Sequence, residues 1–165
     1  DPRFIVRRIL ICASEDVGNA DPQALQVAAA AVQAVEFVGM PEAIHALSQA
    51  VTYIACAPKS NASYAAVSAA LADVREGRTL PVPEHLRDAS YRGAKRLGRG
   101  QGYQYSHNYE GHWVDQDYIP TSKVYYEPSD QGYEAVLRER LQAIRARRRA
   151  GQPSEGEDRA EQGPS

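Results

Sequence analysis

An all-α fold interrupted by one long irregular segment is predicted by three features of this sequence. Apolar residues recur at helical spacing through the first 77 positions. Proline and glycine stand where those helices would begin and end. Tyrosine and glycine then crowd the stretch that follows, where no helical period is sustained.

The elements follow in chain order. Asp1-Pro2 leads straight into a helix-like run over Phe4–Ala13. With no initiator methionine and no polar lead, the chain reads as a fragment cut just ahead of a helix. Ser14-Glu15-Asp16 reads as a helix-end cap and turn before Gly18. Asp21-Pro22 starts the second helix: an Asx N-cap precedes a proline at the first helical position, where its missing N–H costs nothing. Gln23–Val38 carries Ala and Val on nearly every face, and an all-round apolar helix is normally enclosed by neighbours. Gly39 suits the C′ position, and Pro41 restarts the chain as the third helix.

In that third helix Ile44, Leu47, Val51 and Ile54 form an apolar stripe at 0, 3, 7, 10 spacing. Ala57-Pro58 ends it, because a residue before proline is pushed out of helical geometry. Ser60 or Asn61 caps a fourth helix, in which Tyr64, Val67, Leu71 and Val74 repeat the same spacing before Gly77. Matched stripes joined by Pro58–Asn61 predict an antiparallel hairpin of helices.

From Arg78 the character changes. Leu80–Pro83 is a rigid extended connector, His85–Leu97 has room for a short helix, and Gly98, Gly100 and Gly102 break regular structure. Eight of the ten tyrosines lie between Tyr91 and Tyr133, beside the single tryptophan, Trp113. That density predicts an aromatic-pinned wrap over 78–129, with a short β-hairpin pairing His112–Ile119 and Val124–Tyr126 left open. Asp130 is expected to cap a last helix with an apolar side of Tyr133, Leu137, Leu141 and Ile144, running out into Arg145–Arg149. Residues 150–165 are polar, lack aromatic and branched apolar side chains, and are expected to be disordered.

The composition narrows the function classes. No apolar run approaches the ~18–20 residues of a membrane-spanning helix, and no signal-peptide pattern is present. The two cysteines, Cys12 and Cys56, sit in apolar segments and read as reduced thiols packed in a core, which points to the cytoplasm. The formal charge of −2 hides a division: five basic residues face eight acidic ones up to Gly77, and thirteen face nine from Arg78 to Ala150.

Few residues offer chemistry. Pro58-Lys59-Ser60 lacks the glycines of a phosphate loop and falls between two helices, so it reads as a turn and cap. Gly98-Arg99-Gly100-Gln101-Gly102 reads as a flexible turn before an anion nest. His107, His112, Asp115 and Asp117 are metal-ligating in type, but their spacing matches no zinc pattern; hydrogen-bonded histidines within the wrap are the plainer reading. The basic segment is more suggestive. Arg87, Arg92, Lys95, Arg96 and Arg99 stand against one acid, Asp88, with Tyr91, Tyr103 and Tyr105 close in sequence. Cations interleaved with aromatics suit single-stranded DNA, through phosphate neutralisation and base stacking; a solvated basic face is the alternative.

Several long strings carry a resemblance. DPRFIVRRILICASEDVGNADPQAL, YIACAPKSNASYAAVSAALADVRE, LPVPEHLRDA, RLGRGQGYQYSHNYEGHWVDQDYIP and YYEPSDQGYE resemble the C-terminal region of the replication-associated recombination protein A (RarA/MgsA) family. These are AAA+ ATPases related to clamp-loader subunits and to the Werner helicase-interacting protein. The resemblance implies that residues 1–31 end a post-ATPase helical region and that 32–149 form a helical collar joining subunits into a homotetramer. It also implies a DNA-dependent ATPase parent at bacterial replication forks, with DNA and single-stranded DNA-binding protein as partners. ATP and Mg would bind a core outside this chain, so no cofactor, metal or catalytic residue is carried over to it.

Overall fold

The computed structural model describes residues 1–87, 102–119 and 121–151. Among them are five α-helices: α1 (Pro2–Cys12), α2 (Gln23–Phe37), α3 (Ala43–Cys56), α4 (Ala62–Arg75) and α5 (Glu134–Gly151). The chain divides into two compact units, residues 1–77 with 124–142, and 78–123 with 143–165.

In the first unit Asp1 caps α1 by accepting the Arg3 N–H at 2.9 Å. The helix does not stop at Ser14. It widens into a π turn over Ala13–Val17 and tightens into a 3-10 turn over Gly18–Ala20. Ser14 Oγ donates back to the carbonyls of Leu10 and Ile11, so it serves the helix interior and is not the expected end cap. Gly18 ends the turn at φ +52°, where a Cβ would lie 2.7 Å from the Ser60 carbonyl oxygen. Asp21 caps α2 as expected, accepting the Gln23 N–H on its carboxylate and the Ala24 N–H on its carbonyl.

The core is built on α2 between α1 and α3. Ala24, Ala28, Ala31 and Val35 of α2 meet Val6 and Ile9 of α1 and Ala43, Leu47, Ala50 and Ile54 of α3. Alanines at these positions let helix backbones approach closely. This corrects the stripe expected for α3: Leu47 and Ile54 are buried, but Ile44 and Val51 are exposed and alanines take their places. It also corrects the expected enclosure of α2, which is covered on one face while Leu25, Phe37 and Val38 remain exposed.

The expected α3–α4 hairpin does not form. Ala57 turns extended at ψ 146°, and the Ser60 N–H bonds the Asp16 carbonyl at 2.8 Å, drawing the linker across the end of the π turn. Helix α4 therefore packs against the Gly18–Ala20 turn. Lys59 stays behind, donating its ammonium to the Ile54 and Ala57 carbonyls at the end of α3.

The β-hairpin left open by the sequence is likewise absent, since no strand occurs among the described residues. Residues 124–126 are held by side chains instead of a backbone ladder: Tyr125 OH donates to Asp73 and Tyr126 OH to Glu134. Ser129, not Asp130, caps the turn into α5, its Oγ accepting the Gln131 N–H. Leu137 and Leu141 are half-buried, while Tyr133 and Ile144 are exposed.

The second unit holds short 3-10 turns at Glu84–Leu86, Ser106–Asn108 and Glu110–His112, with Val114 buried. Arg148 on the last turns of α5 pairs with Asp115 and Asp117. Most of the expected His85–Leu97 helix and the polar stretch 152–165 lie outside the described residues.

Ala28 and Ala29 separate the two faces of α2, the first fully buried and the second exposed. Ala28→Leu should destabilise the chain by about 1–3 kcal/mol through overpacking, whereas Ala29→Leu should stay within about 0.5 kcal/mol. Urea unfolding followed by circular dichroism measures both.

Candidate functional site

The sequence of α4, ASYAAVSAALADVR, contains only two charged residues. Its apolar side chains recur at 3, 4 and 3, which puts Tyr64, Val67, Leu71 and Val74 along one face. That face points away from the unit's own core: the four are 48%, 53%, 47% and 56% exposed. The only buried residue of α4 is polar, Asp73, which receives the Tyr125 hydroxyl at 2.7 Å. Helix α4 is thus inverted relative to an ordinary surface helix, with its polar contact inward and its apolar stripe outward. Contiguous apolar surface depleted of charge is the composition of an interface core.

A second apolar region lies between α1 and α3. An open cleft of about 510 Å³ is lined by Phe4, Ile5, Ile9, Val51 and Ile54, with Arg8 and Lys59 as its charged residues. Cys12 borders this cleft and also a more polar one of about 780 Å³ beside Asp16, Ser60 and Glu127.

What orients α4 is a buried carboxylate. Glu134, in the first turn of α5, has no solvent exposure. Its Oε2 accepts the Ser60 hydroxyl at 2.5 Å and the Ser129 N–H at 2.8 Å, and its Oε1 accepts the Tyr126 hydroxyl at 2.9 Å. Asn19 extends the network, donating to Tyr126 OH at 3.2 Å and to Ser63 Oγ at 3.0 Å. Two backbone contacts support it. Tyr133 N–H bonds the Ala20 carbonyl, and a Cβ on Gly132 would lie 2.1 Å from that same oxygen. Burial by itself pushes the Glu134 carboxyl up, but the hydrogen bonds from Ser60, Ser129 and Tyr126 outweigh it and hold the group below its ordinary value. Burial and the neighbouring Glu134 push the Tyr126 hydroxyl up, against the opposing hydrogen bond from Asn19. Glu134 is therefore an ionised anchor whose acceptor positions are engaged by donors of this chain.

The cysteines differ from expectation. Cys56 is exposed on the last turn of α3 instead of packed in the core, and Cys12 is half-buried. Burial, then a hydrogen bond and the charge of Asp16, push the Cys12 thiol up despite Lys59 and Arg8 nearby. That setting keeps it a protonated thiol.

Of the residues expected to contact nucleic acid, Arg92, Lys95, Arg96 and Arg99 lie outside the described residues. Arg87 closes its own turn, pairing with Glu84 at 2.6 Å and donating to the Val82 carbonyl at 2.9 Å. Tyr103 is exposed. Asp115 and Asp117 turn to Arg148, and the rings of His107 and His112 meet at a tilt of 55° with centroids 4.9 Å apart. Among the described residues no group of three or more His, Cys, Asp or Glu side chains is placed to share a metal ion. No helix is long and apolar enough to cross a membrane, again among the described residues.

Sequence reasoning missed the Glu134 network entirely. A glutamate in the first turn of a helix looks like a routine match to the helix dipole. Nothing in the spacing of Asn19, Ser60, Tyr126 and Glu134 marks them as neighbours.

Comparison with known proteins places these features. The family model described as "MgsA AAA+ ATPase C terminal" matches residues 1–145. An AAA domain-containing protein of Mycobacterium tuberculosis is 50% identical over 149 residues, covering 88% of this chain and 33% of the relative. Replication-associated recombination protein A of Bacillus subtilis is 46% identical over 143 residues, covering 84% of this chain and 34% of the relative. The ATPase WRNIP1 of Dictyostelium discoideum is 45% identical over 123 residues, covering 73% and 14%. The chain thus spans about a third of the length of these two bacterial relatives.

Glu134→Ala should cost about 3 kcal/mol or more in urea unfolding, because it strands the Ser60, Tyr126 and Ser129 donors. The folded carboxyl lies below its ordinary 4.5, so its stabilisation is present above that value and is lost as pH falls through the depressed one. Glu134→Gln should flatten the loss of stability over that acid window, read as the urea midpoint against pH. Thiol labelling at neutral pH should modify exposed Cys56 rapidly and Cys12 slowly, resolved by mass spectrometry of the two peptides.

Proposed function

The chain belongs to the MgsA AAA+ ATPase C-terminal family, and from that premise we propose that it is a non-catalytic assembly module which joins ATPase subunits into a tetramer. The observation that carries this reading is the outward stripe of α4, Tyr64, Val67, Leu71 and Val74. Covering a Val- or Leu-sized side chain is worth roughly 1.5–3 kcal/mol when complete. Four in register, with Ile44 and Val51 exposed on α3 as further contact surface, offer enough apolar area to offset part of the entropy of association. The Glu134 network supports the reading too. Through Asn19 it engages Ser63 of α4, and Tyr125 engages Asp73, so the polar contacts of α4 are made inside its own unit and the apolar side remains for a partner.

The relatives' names supply the setting. They are called replication-associated recombination proteins and ATPases, and this chain spans about a third of the bacterial ones. On this proposal the remaining length of the parent supplies the ATP- and Mg-binding core. The tetramer gathers several such cores around DNA at the replication fork, in the bacterial cytoplasm, with single-stranded DNA-binding protein as a partner.

Light scattering after size exclusion tests the assembly. We expect a mass near four times 18.1 kDa that survives high salt, since apolar contacts are not screened. Val67→Glu combined with Leu71→Glu should give a monomer of unchanged helicity. A monomeric unsubstituted chain, or a tetramer indifferent to the double substitution, overturns the role assigned to this face.

A further inference from the structure

The first unit carries an exposed apolar turn as well as an open apolar cleft. Helix α2 ends in Phe37, which is 94% exposed, and the apolar residues that follow, Val38 and Met40, are 54% and 52% exposed. Gly39 reverses the chain between them at φ +74°, and beyond its own chain neighbours nothing lies within 4 Å of where its Cβ would stand. Apolar side chains scattered singly over a surface are ordinary. Three within four positions, led by a phenylalanine almost wholly in water, form a knob that its own unit does not cover.

The cleft between α1 and α3 has the complementary form. Its volume of about 510 Å³ is of the size that encloses a ligand, and Phe4, Ile5, Val51 and Ile54 wall it. Neither Phe37, Val38 nor Met40 is among its lining residues, so the turn does not fill the cleft of its own chain. The two features also carry opposite charge. Glu36 and Glu42 flank the knob, both exposed, and no lysine or arginine occurs between Arg8 and Lys59. The cleft is lined by those two cations and by no carboxylate. Lys59 is committed to the carbonyls of Ile54 and Ala57, which leaves exposed Arg8 to meet an incoming acid. A ligand matched to this cleft has an aromatic tip with carboxylates on either side, and the α2–α3 turn has that chemistry.

We propose that the Phe37–Met40 turn of one copy seats in the α1–α3 cleft of a second copy, with Phe37 between the apolar walls and a flanking glutamate on Arg8. This contact rests on the assembly reading above and adds to it. Paired with its own copy, the α4 stripe joins two chains and is then used up, so four chains require a second contact. Knob and cleft are different surfaces. Two copies that exchange knobs close the contact on itself, where one-way seating would run on as a ring or filament. So small a contact does not hold single chains together; it joins pairs already formed through α4.

Solution mass and cross-linking test it. Phe37→Ser should weaken the association of pairs at least about 30-fold, the loss of an aromatic anchor, so that the mass falls from four chains to two. Arg8→Glu should weaken it about 10-fold, and adding Glu36→Arg and Glu42→Arg to that variant should restore it. Circular dichroism should be unchanged throughout, since every substituted side chain is exposed. A benzophenone-bearing phenylalanine at position 37 of isotope-labelled chain, reassembled with unlabelled chain, should cross-link to unlabelled peptides of α1 or α3 that line the cleft. Four chains retained by Phe37→Ser, or cross-links confined to one chain or to α4, overturn the proposal and leave the α4 face standing. Association lost with Phe37→Ser but indifferent to Val67→Glu with Leu71→Glu supports the knob and overturns the α4 face. A monomeric unsubstituted chain overturns both.

Discussion

Glu134 is an ionised carboxylate with no access to water, and a charge in that position survives only if donors surround it. Here the donors come from places far apart in the chain: Ser60 from the α3–α4 linker, Tyr126 and Ser129 from the segment returning to α5. Asn19, from the turn after α1, bonds the Tyr126 hydroxyl in turn. Satisfying one carboxylate therefore fixes the linker, the returning segment and the start of the last helix together. Gly132 makes the arrangement possible, since any side chain there would collide with the Ala20 carbonyl that receives the Tyr133 N–H.

The orientation of α4 follows from that anchoring. With Ser60 held by Glu134 and by the Asp16 carbonyl, the linker is pulled off the flank of α3 and α4 meets the Gly18–Ala20 turn. Its inward contact is then made by Asp73 and Tyr125, and its apolar stripe is left outside. A chain selected only for its own stability would place Leu71 and Val74 inward, because burial of branched side chains is the larger gain. The inversion makes sense if the stripe is buried by association.

Much of this was legible in the residues. The helix boundaries at Asp1-Pro2, Asp21-Pro22, Gly39 and Ala57-Pro58 were readable because caps and proline act locally, over three or four residues. The irregular character of the described parts of the tyrosine-rich stretch, 102–119 and 121–129, was readable for the same reason. The matched stripes were also real as patterns. Their packing was misjudged, because a helical stripe looks alike in sequence whether it is turned toward the neighbouring helix or away from it. In α3 the stripe was misjudged for a different reason, and α2 shows the same cause. Alanine counts little on a hydropathy scale, yet Ala28 and Ala50 take the buried positions because small side chains let the helix axes close.

By itself the sequence determined the helical class, the positions of most helix ends, the uneven distribution of charge and membership of the family, all of which depend on local chemistry or on long matching strings. The tertiary structure alone decided which face of each helix turns inward, that α4 leaves α3, and that Asn19, Ser60, Tyr126 and Glu134 share one network. A helical period fixes the angle between side chains on one helix, but not the rotation of that helix about its own axis. That rotation is set by contacts between residues as distant as Ser60 and Glu134, a separation of 74 positions, and no window on the sequence spans it.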